Sequence, residues 1–134
     1  MARSIAHILL VDDEDDHHFI TRLALRKSGY EGTLVSVYSA EEAIHQLRTM
    51  QPRPDLLLVD INMPGTSGFE MLGCCEQEGL LPNGTTLVVM CSSSNRPMDI
   101  LAAKQLRSVD DYIEKAFNED QFRRLQAAFE QKAA

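Results

Sequence analysis

Apolar runs alternate with amphipathic stretches five times along the chain. The apolar runs are short and mostly lack a polar face, which is typical of strands buried on both sides of a sheet. Strands are predicted at residues 8–11, 34–37, 56–59, 87–90 and 112–114. Each run is followed by a stretch with helical periodicity. This alternation predicts an α/β domain whose parallel sheet is covered by helices on both faces.

Capping signals and apolar stripes place the helices between these strands. Helices are predicted at residues 16–28, from 39 to about 50, at 69–78, at 96–107 and after 118. Ser39 and Glu42 form a capping-box pattern, and Asn118 with Gln121 suggests another cap. The first helix has an apolar side made of Phe19, Ile20, Leu23 and Ala24, and the last has a buried stripe of Phe122, Leu125 and Phe129.

Composition and charge narrow the class of protein. The 134 residues are 44% hydrophobic and 25% charged, the balance of one soluble globular domain. The first apolar stretch contains His7 and runs into Asp12, so it predicts a strand rather than a signal peptide. A net charge of -7 argues against nucleic acid as a direct ligand. The three cysteines lack metal-ligand spacing, and reduced thiols in a cytoplasm are predicted.

Polar residues follow the predicted strands where each one ends. Asp12 and Asp13 follow the first strand, Asp60 the third, Ser92 the fourth and Lys115 the fifth. A doubly wound sheet binds its ligand beyond the carboxyl ends of its strands, so these groups should meet. Clustered carboxylates repel unless a cation joins them, and Mg²⁺ prefers such oxygen ligands. A carboxylate beside a metal and a lysine can accept a phosphoryl group and form an acyl phosphate.

Four segments, in order, resemble the motifs of response-regulator receiver domains. They are LLVDDEDD, LLLVDINMPGTSGFEML, VVMCSSS and DYIEKAF, and the resemblance spans residues 7–129. It implies a flavodoxin-like, doubly wound, five-stranded parallel sheet with strand order 2-1-3-4-5. It also implies a single receiver domain over residues 1–134, with its core at about 7–129.

The resemblance assigns the acidic residues to a phosphorylation and metal site. Asp60 would be the phosphoacceptor, and Asp13 would bind Mg²⁺ (or Mn²⁺) directly. Asp12 would act on the metal partly through water. Asn62 would offer its backbone carbonyl to the metal.

The resemblance also assigns the phosphoryl-binding and switch residues. Ser92 and Lys115 would contact the phosphoryl group, and Tyr112 would reorient on activation. The residues alone do not choose among Ser92, Ser93 and Ser94. The family usually has a cis proline after the lysine, whereas Ala116 stands here. Since a non-proline cis bond costs about 2.5–4 kcal/mol, a trans Lys115-Ala116 bond is expected, and a strained cis bond stabilised by surrounding packing is the alternative.

The implied function is a phosphorylation switch rather than an enzyme that turns over a substrate. The expected partners are a histidine kinase or a histidine phosphotransfer protein, and a downstream protein target. Nucleic acid and membrane are not expected as direct partners, and a homodimer is left open. No output domain is expected, because the sequence holds no segment for one beyond the last helix.

Three alternatives stay open on the residues alone. A haloacid-dehalogenase-like phosphohydrolase would use Asp13 and Asp15 after the first strand, but it gives Asp60 no role. A flavin-binding flavodoxin would need a hydroxyl-rich loop where this chain is acidic. A pseudo-receiver would bind partners without phosphorylation. Adjacent His17 and His18 do not face each other on a helix, so a transition-metal site there is not favoured.

Overall fold

The computed structural model describes residues 3–93 and 96–133, in which five strands alternate with five helices. The strands are β1 (His7–Val11), β2 (Thr33–Val37), β3 (Leu56–Asp60), β4 (Leu87–Ser92) and β5 (Asp111–Glu114). The helices are α1 (Asp15–Lys27), α2 (Ala40–Thr49), α3 (Gly68–Gln77), α4 (Pro97–Gln105) and α5 (Glu119–Ala133). Every predicted element is present with small shifts at its ends. Within those ranges, each helix is too short or too polar to cross a membrane.

The five strands form one parallel sheet in the order β2-β1-β3-β4-β5, which confirms the predicted fold class. Val11 pairs with Val59, and Asp60 pairs with Cys91. Ser92 pairs with Glu114 at the next strand boundary. Because neighbouring strands end at matching positions, the residues that follow them lie along one edge of the sheet. That edge carries the candidate site.

The sheet buries its two faces in two separate apolar layers. Alternate strand residues point to opposite faces, so each strand contributes to both layers. One layer lies between the sheet and α2, α3 and α4. The other lies between the sheet and α1 and α5, and it contains the predicted stripe of Phe122, Leu125 and Phe129. β3 is buried along its whole length. The central strands therefore hold the site on a rigid support.

Of the four residues predicted as the apolar side of helix α1, only Ala24 is buried. Phe19 is 60% exposed, Ile20 39% and Leu23 37%. The buried residues of α1 are His17, His18, Thr21, Ala24 and Leu25. The apolar pattern therefore failed as a guide to the packed side. It failed because His17 and His18 are buried through hydrogen bonds to Asp12, which hydrophobic periodicity does not register.

Side-chain caps begin two of the helices where the sequence predicts them. Asn118 accepts a hydrogen bond from the backbone N–H of Gln121 at 2.9 Å, and the Gln121 side chain accepts one from the Asn118 N–H at 3.2 Å. Ser39 accepts one from the Glu42 N–H at 3.2 Å. The Glu42 carboxylate accepts from the Ser39 hydroxyl rather than from its backbone, so only half of that capping box forms. The cap formed by Asn118 and Gln121 fixes the start of α5 immediately after the Lys115 loop.

Candidate functional site

Four carboxylates converge at the carboxyl edge of the sheet. Asp12, Asp13, Glu14 and Asp60 each offer an oxygen, and these oxygens all lie within 4.8 Å of one another. Asp12 is fully buried and Asp60 is 3% exposed. Asp13 Oδ1 is buried without a hydrogen-bond partner among the described residues. An unpaired carboxylate oxygen within such a cluster fits a hard divalent cation with oxygen ligands. Glu14 is a member that the sequence did not single out.

Lys115 reaches into the carboxylate cluster from the loop after β5. Its Nζ lies 2.8 Å from Asp12 Oδ2, 3.3 Å from Asp60 Oδ1 and 3.3 Å from Glu14 Oε1. Burial alone would lower the pKa of Lys115, but the hydrogen bond to Asp12 and the charges of Asp60 and Asp12 raise it. The ammonium therefore stays charged and offsets part of the carboxylate repulsion.

The Lys115-Ala116 peptide bond is cis, so the expectation of a trans bond is wrong. That expectation rested on the intrinsic preference of a non-proline bond and on the lack of an evident compensating signal in residues 116–118. It left out the contacts on both sides of the bond. The Lys115 N–H donates to the Ser92 carbonyl at 2.8 Å, and Phe117 is 2% exposed in the core. These tertiary contacts fix the path of the loop.

The pKa values of Asp60 and Asp12 shift in opposite directions, although burial acts to raise both. Burial and the charge of Asp12 raise the pKa of Asp60 to about 6, and Lys115 and the Asn62 N–H offset only part of this. Burial would also raise the pKa of Asp12. Hydrogen bonds from His17, Lys115 and the Glu14 N–H more than offset it, so the pKa of Asp12 lies below its usual value. Asp12 is thus the fixed anion of the pair, and Asp60 is the carboxylate that is harder to ionise.

Both oxygens of Asp12 already have protein donors. Oδ1 accepts from the Glu14 N–H at 2.9 Å. Oδ2 lies 2.7 Å from His17 Nδ1 and 2.8 Å from Lys115 Nζ. Such a carboxylate can influence a cation through a bridging water more readily than by direct coordination. The sequence did not identify His17 as part of this arrangement. Its position, five residues after Asp12 in the first turn of α1, was the available signal.

Ser92 and Asn62 border the cluster from β4 and from the loop after β3. Ser92 ends β4 and is fully buried, whereas Ser93 is exposed and Ser94 lies outside the described residues. Ser92 is therefore the buried serine of this run, and it directly follows Cys91, the strand partner of Asp60. Asn62 lies two residues beyond Asp60, and its backbone N–H acts to lower the pKa of that carboxylate.

Tyr112 lies on β5, away from the carboxylates. It pairs with Met90 in the sheet and is half-buried. With Ile100, Ala103 and Lys104 it lines a cavity of about 140 Å³ between α4 and β5. The aromatic residue thus connects the strand that leads to Lys115 with the surface of α4.

Gly68 packs directly against the backbone of Asp60. A Cβ on Gly68 would lie 2.4 Å from the Asp60 carbonyl oxygen and 3.1 Å from Ile61 Cα. Because both atoms belong to the backbone, no side-chain rotation can relieve the clash. The start of α3 is thereby held close to the acidic site.

We expect Gly68→Ala to lower the free energy of unfolding by about 1–3 kcal/mol, the usual cost of overpacking. Urea unfolding measures this. Gly73→Ala is the matched control, because it lies in the same helix and, apart from its chain neighbours and the backbone of its own helix, no described heavy atom lies within 4 Å of the added Cβ. The control should be neutral or more stable by less than about 1 kcal/mol. Equal stabilities for the two variants would contradict the contact.

Comparison with known proteins identifies the family. The response regulator receiver domain family matches residues 8–127, and the chain belongs to it. A two-component response regulator from Cytophaga hutchinsonii is similar in structure, with a TM-score of 0.85 and 29% identity over 95% of this chain and 98% of that one. The phosphorylated cyanobacterial phytochrome response regulator RcpA gives a TM-score of 0.75 and 30% identity, covering 96% of each chain.

Curated relatives differ in length. Two-component response regulator ORR41 from Oryza sativa subsp. japonica is 29% identical over 96% of this chain and 98% of its own length. The chain spans 43% and 42% of two longer bacterial relatives, at 29% and 32% identity. The shared part is the receiver domain of two-component signalling. The fold and family predicted from the motifs are therefore confirmed.

Proposed function

We propose that this receiver domain is a Mg²⁺-dependent switch in which Asp60 accepts a phosphoryl group. One observation carries the proposal. The carboxylate of Asp60 is buried at the end of β3, in one cluster with Asp12 and Asp13 and 3.3 Å from the ammonium of Lys115. A pseudo-receiver would not require all of these groups to converge.

The residues that would hold the cation are Asp13, Asp60 and the backbone carbonyl of Asn62, with Asp12 acting through water. The unpaired Asp13 Oδ1 and the four-carboxylate cluster support this assignment. When bound, Mg²⁺ neutralises phosphoryl oxygens and aligns the donor. Mn²⁺ has the same preference for carboxylate and water ligands and should substitute.

The transfer itself exchanges one bond for another. A carboxylate oxygen of Asp60 forms a bond to phosphorus while the P–N bond of a phosphohistidine breaks. The electron pair stays on the imidazole nitrogen, which then takes a proton from solvent. Lys115 would hold a phosphoryl oxygen as negative charge moves toward Asp60, and the Ser92 hydroxyl would donate to another. The product is an acyl phosphate on Asp60.

Phosphorylation would be read on the surface built by α4, β5 and α5, which we call the output face. Ser92 ends β4, the strand that precedes α4 in the chain, and Tyr112 lies on β5 and lines a cavity with residues of that helix. The exposed apolar residues Met98 and Leu101, 77% and 57% exposed, lie on α4 and suit binding of a protein target.

We expect beryllofluoride with Mg²⁺ to change the amide NMR shifts of the output face more than those of α2 and α3. The reason is that Ser92 and Lys115 both adjoin the phosphoryl position and both connect to β4 and β5. Tyr112→Ala should reduce the shifts on α4 and leave those near Asp60. Shifts confined to α2 and α3 would contradict the proposed output face.

The expected partners follow from this chemistry. A histidine kinase or a histidine phosphotransfer protein would supply the phosphoryl group, and a downstream protein would bind the output face. A kinase that draws on ATP places this exchange in the cytoplasm. The protein would catalyse only its own phosphorylation and slow dephosphorylation. Self-association and a single receiver domain over residues 1–134 stay predictions.

Intact-mass measurement after incubation with acetyl phosphate tests the proposal. With Mg²⁺, a fraction of the protein should gain the mass of one phosphoryl group, and hydroxylamine should remove it because acyl phosphates are labile. Chelation of the metal should prevent the gain. Steady release of phosphate from simple esters without a stable mass increase would favour the phosphohydrolase alternative instead.

A further inference from the structure

His17 is a buried histidine that contacts the acidic site from helix α1. Its Nδ1 lies 2.7 Å from Asp12 Oδ2, and the residue is 5% exposed. A carboxylate oxygen only accepts, so Nδ1 carries the hydrogen of this bond. His17 Nε2 has no hydrogen-bond partner among the described residues. The polar contact that keeps this ring inside the protein is therefore the one to Asp12.

His17 and Lys115 donate to the same oxygen of Asp12. Lys115 Nζ lies 2.8 Å from Oδ2 and only 3.3 Å from Asp60 Oδ1. The ammonium thus stands between the two carboxylates in the resting protein. Its three N–H donors face Asp12, Asp60 and Glu14, so it has to release one of these contacts to donate to a phosphoryl group on Asp60, and we take the contact to Asp12 as the one released. Without another donor, Asp12 Oδ2 would then be a buried anionic oxygen with an unmet hydrogen bond, which is costly.

We infer that His17 is a positioning residue that holds the Asp12 carboxylate in place and frees Lys115 for the phosphoryl group. This inference rests on the proposed phosphorylation site and adds a residue to it. Groups that hydrogen-bond a metal-site carboxylate typically change metal affinity or activity 10–100-fold when they are removed. His17 occupies that place toward Asp12.

The adjacent histidine has a different role in the same turn of α1. His18 Nε2 lies 2.8 Å from the backbone carbonyl of Asp12, and its ring packs on Tyr38 with the centroids 4.2 Å apart. It therefore anchors the main chain and not the carboxylate. The two histidines therefore have separate roles, because only His17 donates to the Asp12 oxygen that also accepts from Lys115.

The test compares His17→Phe, which keeps a ring and loses the donor, with His17→Asn, whose amide can replace Nδ1. Calorimetric titration gives the Mg²⁺ affinity, and a second titration at saturating Mg²⁺ gives the beryllofluoride affinity. We expect His17→Phe to weaken Mg²⁺ binding by roughly 10–100-fold. It should also weaken beryllofluoride binding, because Lys115 stays on Asp12. His17→Asn should restore most of both affinities.

Leu25→Ala is the stability control, because Leu25 is buried on α1 away from the carboxylates. It should lower the melting temperature and leave both affinities unchanged. If His17→Phe does not fold, His17→Leu carries the same comparison. Wild-type affinities in the donor-free variant, or an Asn variant as impaired as Phe, would overturn this inference alone. A wild-type protein that binds neither Mg²⁺ nor beryllofluoride would overturn it together with the proposed function.

Discussion

Asp60→Asn is expected to take up no phosphoryl group from acetyl phosphate or from a phosphohistidine donor. An amide cannot form the acyl phosphate, and Asp60 is the carboxylate that lies against both Lys115 and the acidic pair. Intact-mass analysis of both proteins under one set of conditions measures the effect. Asp60→Asn should show no phosphorylated species at all, rather than slower phosphorylation. Phosphorylation of Asp60→Asn to the wild-type yield would contradict the assignment of this residue.

The same variant should be more stable than wild type without metal above pH 6. The pKa of Asp60 is about 6 in the folded protein, against an ordinary value of 3.8. The folded state therefore binds this proton more tightly than the unfolded state does. In wild type, the stability that the protonated Asp60 contributes is present at low pH and is lost as the pH rises from about 4 to about 6. At pH 7.5, Asp60→Asn should therefore raise the free energy of unfolding by on the order of 1–3 kcal/mol. Urea unfolding measures this difference.

Asp13→Ala is expected to abolish Mg²⁺ binding at millimolar concentrations. Asp13 Oδ1 is the buried carboxylate oxygen without a hydrogen-bond partner among the described residues, so it is available to coordinate a cation directly. Losing a direct ligand should exceed the 10–100-fold loss typical of supporting groups. Wild type should melt at a higher temperature with Mg²⁺, because a ligand that binds only the native state stabilises it. Asp13→Ala should show no such shift.

Asp16→Ala provides the matched control for that experiment. Asp16 belongs to the same acidic run but is exposed and lies outside the four-carboxylate cluster. Its Mg²⁺-dependent melting shift should equal that of wild type. Without metal, Asp13→Ala should also gain stability, because one of several like charges is removed. Identical shifts in all three proteins would show that the cation binds elsewhere.

The sheet and the position of the acidic site were predictable because they depend on signals that are local in sequence. Continuous apolar runs define the strands, and polar residues directly after them fall at one edge of a parallel sheet. Asp12, Asp60 and Lys115 are far apart in sequence. They meet because β1, β3 and the end of β5 share that edge.

The features that sequence reasoning missed depend on contacts between different elements of the fold. The packed side of α1 was missed because the buried polar residue His17 takes its partner from the end of β1. The cis Lys115-Ala116 bond was missed because the expectation rested on the local preference of a non-proline bond, whereas the loop also contacts Ser92 on β4 and the core through Phe117. The role of Gly68 was missed because its closest neighbour is the backbone of Asp60.

Chemical mapping of the phosphoryl group is the most direct test of the central claim. Borohydride reduces an aspartyl phosphate to homoserine, which marks the modified residue for peptide mass spectrometry. After phosphorylation with acetyl phosphate and Mg²⁺, we expect homoserine at position 60 alone, and none when the metal is chelated. Homoserine at position 12 or 13, or a stable modification that borohydride does not reduce, would contradict the account.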